Sequence, residues 1–109
     1  MFIRFDDLDL LDFFENEPIS VGAIEEDRLI YSTKDRTELS MTMAVDAYSR
    51  IIHISINYKN QIVFSSQFQN ILEIKKRNDT LLVETEENKR IVIKKSPCLG
   101  VIIENYERN

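Results

Sequence analysis

Glycine and proline are scarce in this chain of 109 residues, which contains two of each. Gly22 and Gly100 lie far apart, so no pair of glycines has the spacing of a dinucleotide-binding or P-loop motif. The single cysteine, Cys98, excludes an internal disulfide, and with the single histidine, His53, it is too little for an ordinary structural zinc site. These absences predict a protein of a reducing compartment without cofactor or metal.

Long apolar segments are missing as well. No segment approaches the roughly 20 apolar residues that span a membrane, and the first residues lack the apolar region and cleavage site of a secretory signal. With 43% hydrophobic and 30% charged residues, the composition is typical of a globular domain and not of a disordered chain. We therefore expect one soluble, cytoplasmic domain over residues 1–109 that does not contact membranes.

The net charge of −5 is unevenly distributed. The first 31 residues contain nine acidic side chains and only two basic ones. Binding of a phosphate backbone needs a basic surface, so the composition argues against nucleic acid as the main partner. An acidic surface more readily attracts a basic protein.

One segment has the periodicity of an amphipathic helix, at residues 7–16. Its apolar side chains lie within one broad arc, which includes Leu8, and polar side chains lie opposite. Asp6 is the expected N-cap, and Pro18 is expected to end the helix because proline disfavours helical backbone in the residue before it.

From residue 28 onward the apolar pattern changes to a period of two, with the clearest alternation at 39–45 and 52–58. Turn residues recur about every 8 to 12 positions, and no helical segment separates the strands, so parallel pairing is not expected. The predicted fold is α+β and mostly β: one N-terminal amphipathic helix packed on an antiparallel meander of seven or eight short strands. Phe13, Phe14, Phe64 and Phe68 are predicted to pack in its core.

The sequence offers little for catalysis. His53 lies on the polar side of a predicted strand and is interpreted as an ordinary strand residue, exposed or hydrogen-bonded to a neighbour. Cys98 follows Pro97 and precedes an apolar strand, which is typical of a small buried side chain and not of an activated thiolate. We expect no catalytic residues and no enzymatic activity.

The acidic residues of the first third have two interpretations. They form the solvated side of an amphipathic helix and its following loop, or they recognise a basic partner protein, which they would attract over long range. The acidic stretch lacks the spacing of a calcium-binding loop. The candidate partner-binding residues are Asp9, Asp12, Glu15, Glu25, Glu26 and Asp27.

The helix carries the string F-F-x-x-E-P at residues 13–18 and is followed by a strand-rich remainder. In this layout, in length and in acidic balance, the chain resembles small immunity proteins of bacterial polymorphic toxin systems, including contact-dependent growth inhibition. The resemblance implies a non-enzymatic inhibitor that binds a cognate toxin, often a nuclease with a basic surface, in the cytoplasm of the producing cell. No site residue is transferred from the family.

A second interpretation is a small β-rich structural or regulatory module that binds a small ligand or forms a homodimer through an exposed strand edge. An enzyme that combines His53 with distant carboxylates is the third. An apolar cavity with convergent polar groups would favour the ligand-binding module, and a flat acidic surface would favour the inhibitor.

Overall fold

Two five-stranded sheets enclose one core, and a single helix packs against it. The structure is a computed structural model that describes residues 2–21 and 28–105. The mostly-β α+β fold predicted from the sequence is confirmed. Within the described residues there are ten strands and not seven or eight. The sequence did not predict the short strand before the helix or the short strand after it.

The strands are numbered β1 to β10 in chain order, and each sheet is described below by the order of its neighbouring strands. Sheet A has the order β1-β7-β8-β9-β10, and sheet B has the order β2-β3-β4-β5-β6. Sheet A consists of β1 (Arg4–Phe5), β7 (Ile71–Arg77), β8 (Thr80–Thr85), β9 (Lys89–Lys94) and β10 (Gly100–Asn105). Sheet B consists of β2 (Ile19–Val21), β3 (Arg28–Lys34), β4 (Leu39–Asp46), β5 (Ile51–Tyr58) and β6 (Gln61–Phe68). The helix α1 spans Asp7–Phe14.

The core is built from alternate residues of both sheets, because successive side chains of a strand point to opposite faces. Met43 and Ile54 of sheet B and Val83 and Ile93 of sheet A are fully buried in it. Phe13 and Phe14 are buried as predicted, and Phe64 and Phe68 pack against the core with part of their surface exposed. The two sheets therefore share one hydrophobic core.

The helix begins where the sequence predicts and ends earlier. The Asp6 carboxylate accepts a hydrogen bond from Leu8 N at 2.9 Å, which makes it the N-cap. The helix ends at Phe14 because Glu15 adopts a left-handed conformation, so Pro18 does not terminate it. Leu8 was placed on the apolar arc, but it is 70% exposed, because the face that meets the core is centred on Leu10, Phe13 and Phe14.

The first strand corrects the expectation that all pairings are antiparallel. β1 pairs in parallel with β7, with Arg4 opposite Glu73 and Phe5 opposite Ile74. The whole of sheet B separates the two strands along the chain, so this pairing needs no helical crossover between consecutive strands. Ile3 N also donates to Ala47 O at 3.0 Å, which attaches the same segment to the end of sheet B.

One carboxylate ties the β3–β4 turn to the start of β10. Asp35 Oδ1 accepts hydrogen bonds from Thr37 and from Leu39 N, and Oδ2 accepts one from Leu99 N at 2.8 Å. Burial raises the pKa of Asp35, but the hydrogen bonds from Leu99, Thr37 and Leu39 outweigh it, so the pKa lies below its ordinary value. Asp35 therefore connects sheet B to sheet A while ionised.

Candidate partner-binding surface

The structure brings Asp9, Asp12 and Glu15 together along α1 and places lysines of sheet A beside them. Asp12 Oδ2 lies 2.8 Å from Lys76 Nζ, and Glu15 Oε2 lies 2.9 Å from Lys95 Nζ. Asp9 is half-buried and accepts a hydrogen bond from Lys76 N at 3.2 Å. Glu25, Glu26 and Asp27 lie outside the described residues.

These contacts change the electrostatics expected from the sequence. The pKa of Lys76 is raised above its ordinary value, mainly by its hydrogen bond to Asp12. Desolvation lowers the pKa, but Coulombic attraction to Asp12, Asp79 and Asp9 raises it further. Both Asp12 and Glu15 keep most of their side-chain surface in water, so their ion pairs are weak and a partner can compete for them. Part of the negative charge of the helix is thus balanced by the chain itself.

A cleft of mixed charge lies at the C-terminal end of the helix. It encloses about 540 Å³ and is lined by Asp12, Glu15, Asp79, Arg36, Lys76 and Lys95, together with Phe13 and Ser96. Lys95 Nζ also donates to Phe13 O at 2.7 Å and so satisfies a carbonyl of the last helical turn. In this cleft the lysines have a structural role, because they join the helix end to sheet A.

Asp7, which was not among the predicted site residues, has no ion-pair partner in residues 2–21 and 28–105. It is exposed at the first turn of the helix, where the positive end of the helix dipole favours a carboxylate. Burial, with the charge of Asp7 as a second cause, raises the pKa of Tyr31 to about 12. Asp7 therefore presents more uncompensated charge than Asp12 or Glu15.

An apolar groove adjoins Asp7. It has a volume of about 360 Å³ and is lined by Phe2, Ile3, Phe5, Asp7, Leu29, Val45, Ala47 and Tyr48. The rings of Phe2 and Tyr48 meet edge to face with centroids 5.9 Å apart, and each residue is 59% exposed. No sequence pattern indicates this groove, because Phe2 and Tyr48 lie 46 positions apart and neither belongs to a periodic segment.

The remaining chemical candidates have ordinary surroundings. His53 Nε2 lies 3.0 Å from Ser65 Oγ on the neighbouring strand, which confirms the prediction of a strand residue hydrogen-bonded to a neighbour. Cys98 is partly buried. Within the described part of the chain, no group of three or more histidine, cysteine and acidic residues is arranged to hold a metal. No helix among those residues is long and apolar enough to cross a membrane.

Comparisons with known proteins identify one similar fold. No protein-family model matches the chain, and no curated protein matches it. Among solved structures, a chain of the contact-dependent growth inhibition toxin–immunity protein complex from Klebsiella pneumoniae 342 superposes with a TM-score of 0.80. The match covers 95% of this chain and 98% of that chain, at 19% sequence identity. The chain has the fold of a protein from a growth-inhibition complex. The resemblance stated from the sequence is therefore confirmed at the level of the fold.

Proposed function

We propose that the protein is an immunity protein, which binds a cognate toxin in the cytoplasm and neutralises it without chemistry of its own. The observation that carries the proposal is the match of almost the whole chain to a chain of a toxin–immunity complex. Such a complex contains a toxin and an immunity protein, and the charge of this chain favours the immunity protein. A net charge of −5 suits the inhibitor of a basic enzyme better than an enzyme that acts on nucleic acid.

The toxin-binding surface in this proposal is acidic and has an apolar centre. It comprises the apolar groove at Phe2 and Tyr48, the neighbouring carboxylate of Asp7, and Asp9, Asp12 and Glu15. Glu25, Glu26 and Asp27, which lie outside the described residues, stay candidates from the sequence alone. Exposed aromatic residues next to charged ones are typical of the residues that dominate binding energy in protein interfaces. The occupant is a toxin domain, a basic nuclease, that inserts an apolar side chain flanked by lysine or arginine.

Two features of this surface support that occupant. Asp7 lines the groove and lacks a counter-charge among the described residues, so a cationic side chain at the rim would gain an ion pair without breaking one. Asp12 and Glu15 already have lysine partners but remain mostly exposed, so they contribute to attraction over distance more than to contact energy.

The proposal is tested by expressing the chain together with the product of the gene directly upstream, which is the expected position of a cognate toxin. We expect cells that carry the toxin alone to stop growing and cells that carry both proteins to grow, with a complex recovered by co-purification. If this chain alone stops growth, it is the toxic member of the pair. If it neither protects nor binds, the proposed function is wrong.

The surface is tested separately from the function, with purified proteins. Phe2→Ala with Tyr48→Ala should weaken toxin binding by at least tenfold, because two aromatic contacts are lost. Asp7→Lys should slow association and reduce its dependence on salt. Glu38→Lys makes the same charge change in the exposed β3–β4 turn, at the other end of sheet B from Tyr48, and is the matched control. If the control weakens binding as much as Asp7→Lys, only the net charge matters and the proposed surface is wrong.

A further inference from the structure

The strand β6 is an open edge of sheet B that carries no charged residue. It spans Gln61–Phe68, pairs with β5 on one side, and is the last strand in the order of the sheet. Ile62 and Val63 are 69% and 59% exposed, although both are aliphatic. An edge strand presents unpaired N–H and C=O groups, and natural proteins usually protect such edges with charge, proline or short length. β6 lacks these three protections, and the one irregularity of the edge is the register shift opposite Ile56 and Asn57.

The other sheet edges differ from β6 in ways that limit pairing. β1 has two residues and β2 has three, which is too short for a stable ladder on its own. β10 is longer, but it carries Glu104 and leads into residues 106–109, which lie outside the described part of the chain. β6, with eight residues, is therefore the edge best suited to receive another strand.

We propose that β6 pairs in antiparallel orientation with β6 of a second copy of this chain, and that the two five-stranded B sheets become one continuous sheet of ten strands. A two-fold axis perpendicular to the sheet keeps the same face of both copies on the same side. The half-buried Phe64 and Phe68 of one copy then continue the inner face of the other. Each exposed N–H and C=O of the edge gains a backbone partner.

The neutrality of β6 removes the electrostatic obstacle to pairing with a second copy. Two molecules with a net charge of −5 repel each other across most of their surface. Antiparallel self-pairing of β6 places only residues of one neutral set, Gln61–Phe68, opposite one another. A basic partner would gain nothing from this strand, whereas a copy of the chain meets no like charge along it.

The test uses isosteric charge on β6 and a matched change on β10. Sedimentation of the purified full chain between about 5 and 500 µM covers the range of weak dimers. We expect the unmodified chain to dimerise in this range. Gln61→Glu with Gln67→Glu should raise the dimer dissociation constant about fivefold to tenfold, because each copy then brings two negative charges to an edge strand that is neutral in the unmodified chain. About 0.5 M salt should reverse most of this loss, because exposed charges are screened. Asn105→Asp on β10 is the control and should leave the constant unchanged.

A second variant does not depend on charge. Val63 has no register partner on β5, where the pairing shifts between Ile56 and Asn57, so Val63→Pro should be tolerated in the monomer. It should abolish dimerisation at every salt concentration, with the thermal midpoint of a dilute sample as the check on folding. A chain that stays monomeric at 500 µM, or a dimer that resists Gln61→Glu with Gln67→Glu and also Val63→Pro, would overturn the proposal. Protection from the toxin is measured on the same variants, and its retention shows that this interface and the proposed toxin surface are separate.

Discussion

The two sheets share one core, but one row of register partners on the outer face of sheet A differs in chemistry from the corresponding row of sheet B. Across sheet A, one row of register partners is charged on all five strands: Arg4, Glu73, Glu84, Arg90 and Glu104. Across sheet B, the row of register partners on β3 to β6 carries only hydroxyl groups: Ser32, Thr42, Ser55 and Ser65. The row on sheet A contains ion pairs, whereas the row on sheet B consists of small neutral side chains.

The charged row forms ion pairs within the chain, whereas the hydroxyl row can hydrogen-bond to water. On sheet A, Arg90 Nε lies 3.0 Å from Glu84 Oε1. Glu73 lies 3.9 Å from Arg4 and 3.7 Å from Lys75. The carboxylates of Glu84 and Glu73 therefore have cationic partners within the chain. On sheet B, hydroxyls require no counter-charge and can exchange partners with water at little cost. We infer that the outer face of sheet A contributes to stability through electrostatics and that of sheet B contributes little.

The largest effects on the free energy of unfolding are expected in the shared core, where the two sheets are alike. Ile54→Ala in sheet B and Ile93→Ala in sheet A remove fully buried side chains from the shared core, and each should lower the free energy of unfolding by about 2–5 kcal/mol. Urea unfolding followed by circular dichroism measures both. Two separate transitions in either variant would contradict a single core.

The next effect concerns the link between the sheets. Asp35→Asn keeps the shape of the side chain and loses the charge that accepts hydrogen bonds from Thr37, Leu39 and Leu99, so the free energy of unfolding should fall by about 2 kcal/mol. Because the pKa of Asp35 is lowered in the folded chain, its contribution is present above the unfolded value of 3.8 and is lost as the pH falls through the folded pKa. Unfolding of the unmodified chain and of Asp35→Asn, compared between neutral pH and about pH 3, should therefore give a difference that shrinks in acid. A difference independent of pH would show that Asp35 acts through geometry alone.

The charged row of sheet A should respond less than the link. Arg90→Gln removes the ion-pair partner of Glu84, whose side chain is only 14% exposed, and should lower the free energy of unfolding by about 1 kcal/mol. The loss should be smaller in about 1 M NaCl, where exposed charge is screened. A loss that does not change with salt would mean that Arg90 contributes by packing its aliphatic stem.

The hydroxyl row of sheet B should respond least. Ser55→Ala removes one long contact, at 3.4 Å from Ser65 Oγ, and should change the free energy of unfolding by less than about 0.5 kcal/mol at any salt concentration. Thermal unfolding at two salt concentrations measures it. A loss comparable to that of Arg90→Gln would remove the distinction between the two faces.

The strands β4 and β5 of sheet B were the most predictable elements of the fold. Period-two alternation identified β4 and β5 because their inner residues, such as Met43 and Ile54, meet the core and their outer residues, such as Thr42 and Ser55, meet water. β1 escaped prediction because two residues have no period, and its partner β7 lies about 70 positions away. Short strands of this kind are set by tertiary pairing and not by local preference.

The candidate site was predictable in composition and not in arrangement. Asp9, Asp12 and Glu15 are visible as one acidic side of a helix, but Lys76 and Lys95 reach them from β7 and the end of β9, and no local pattern indicates this. That Asp9, Asp12 and Glu15 contact a partner protein remains a prediction. The groove at Phe2 and Tyr48 depends on the same kind of distant contact, since Ile3 is fixed to Ala47 by a backbone hydrogen bond.

The parallel pairing of β1 with β7 also has a consequence for synthesis on the ribosome. Arg4 and Phe5 leave the ribosome about 70 residues before their partners Glu73 and Ile74. Until then the first strand has no neighbour, and the apolar side of the helix lacks the part of the core that sheet A supplies. The N-terminal segment therefore joins the native structure late in translation, and the exposed apolar surface must wait for the C-terminal third to cover it.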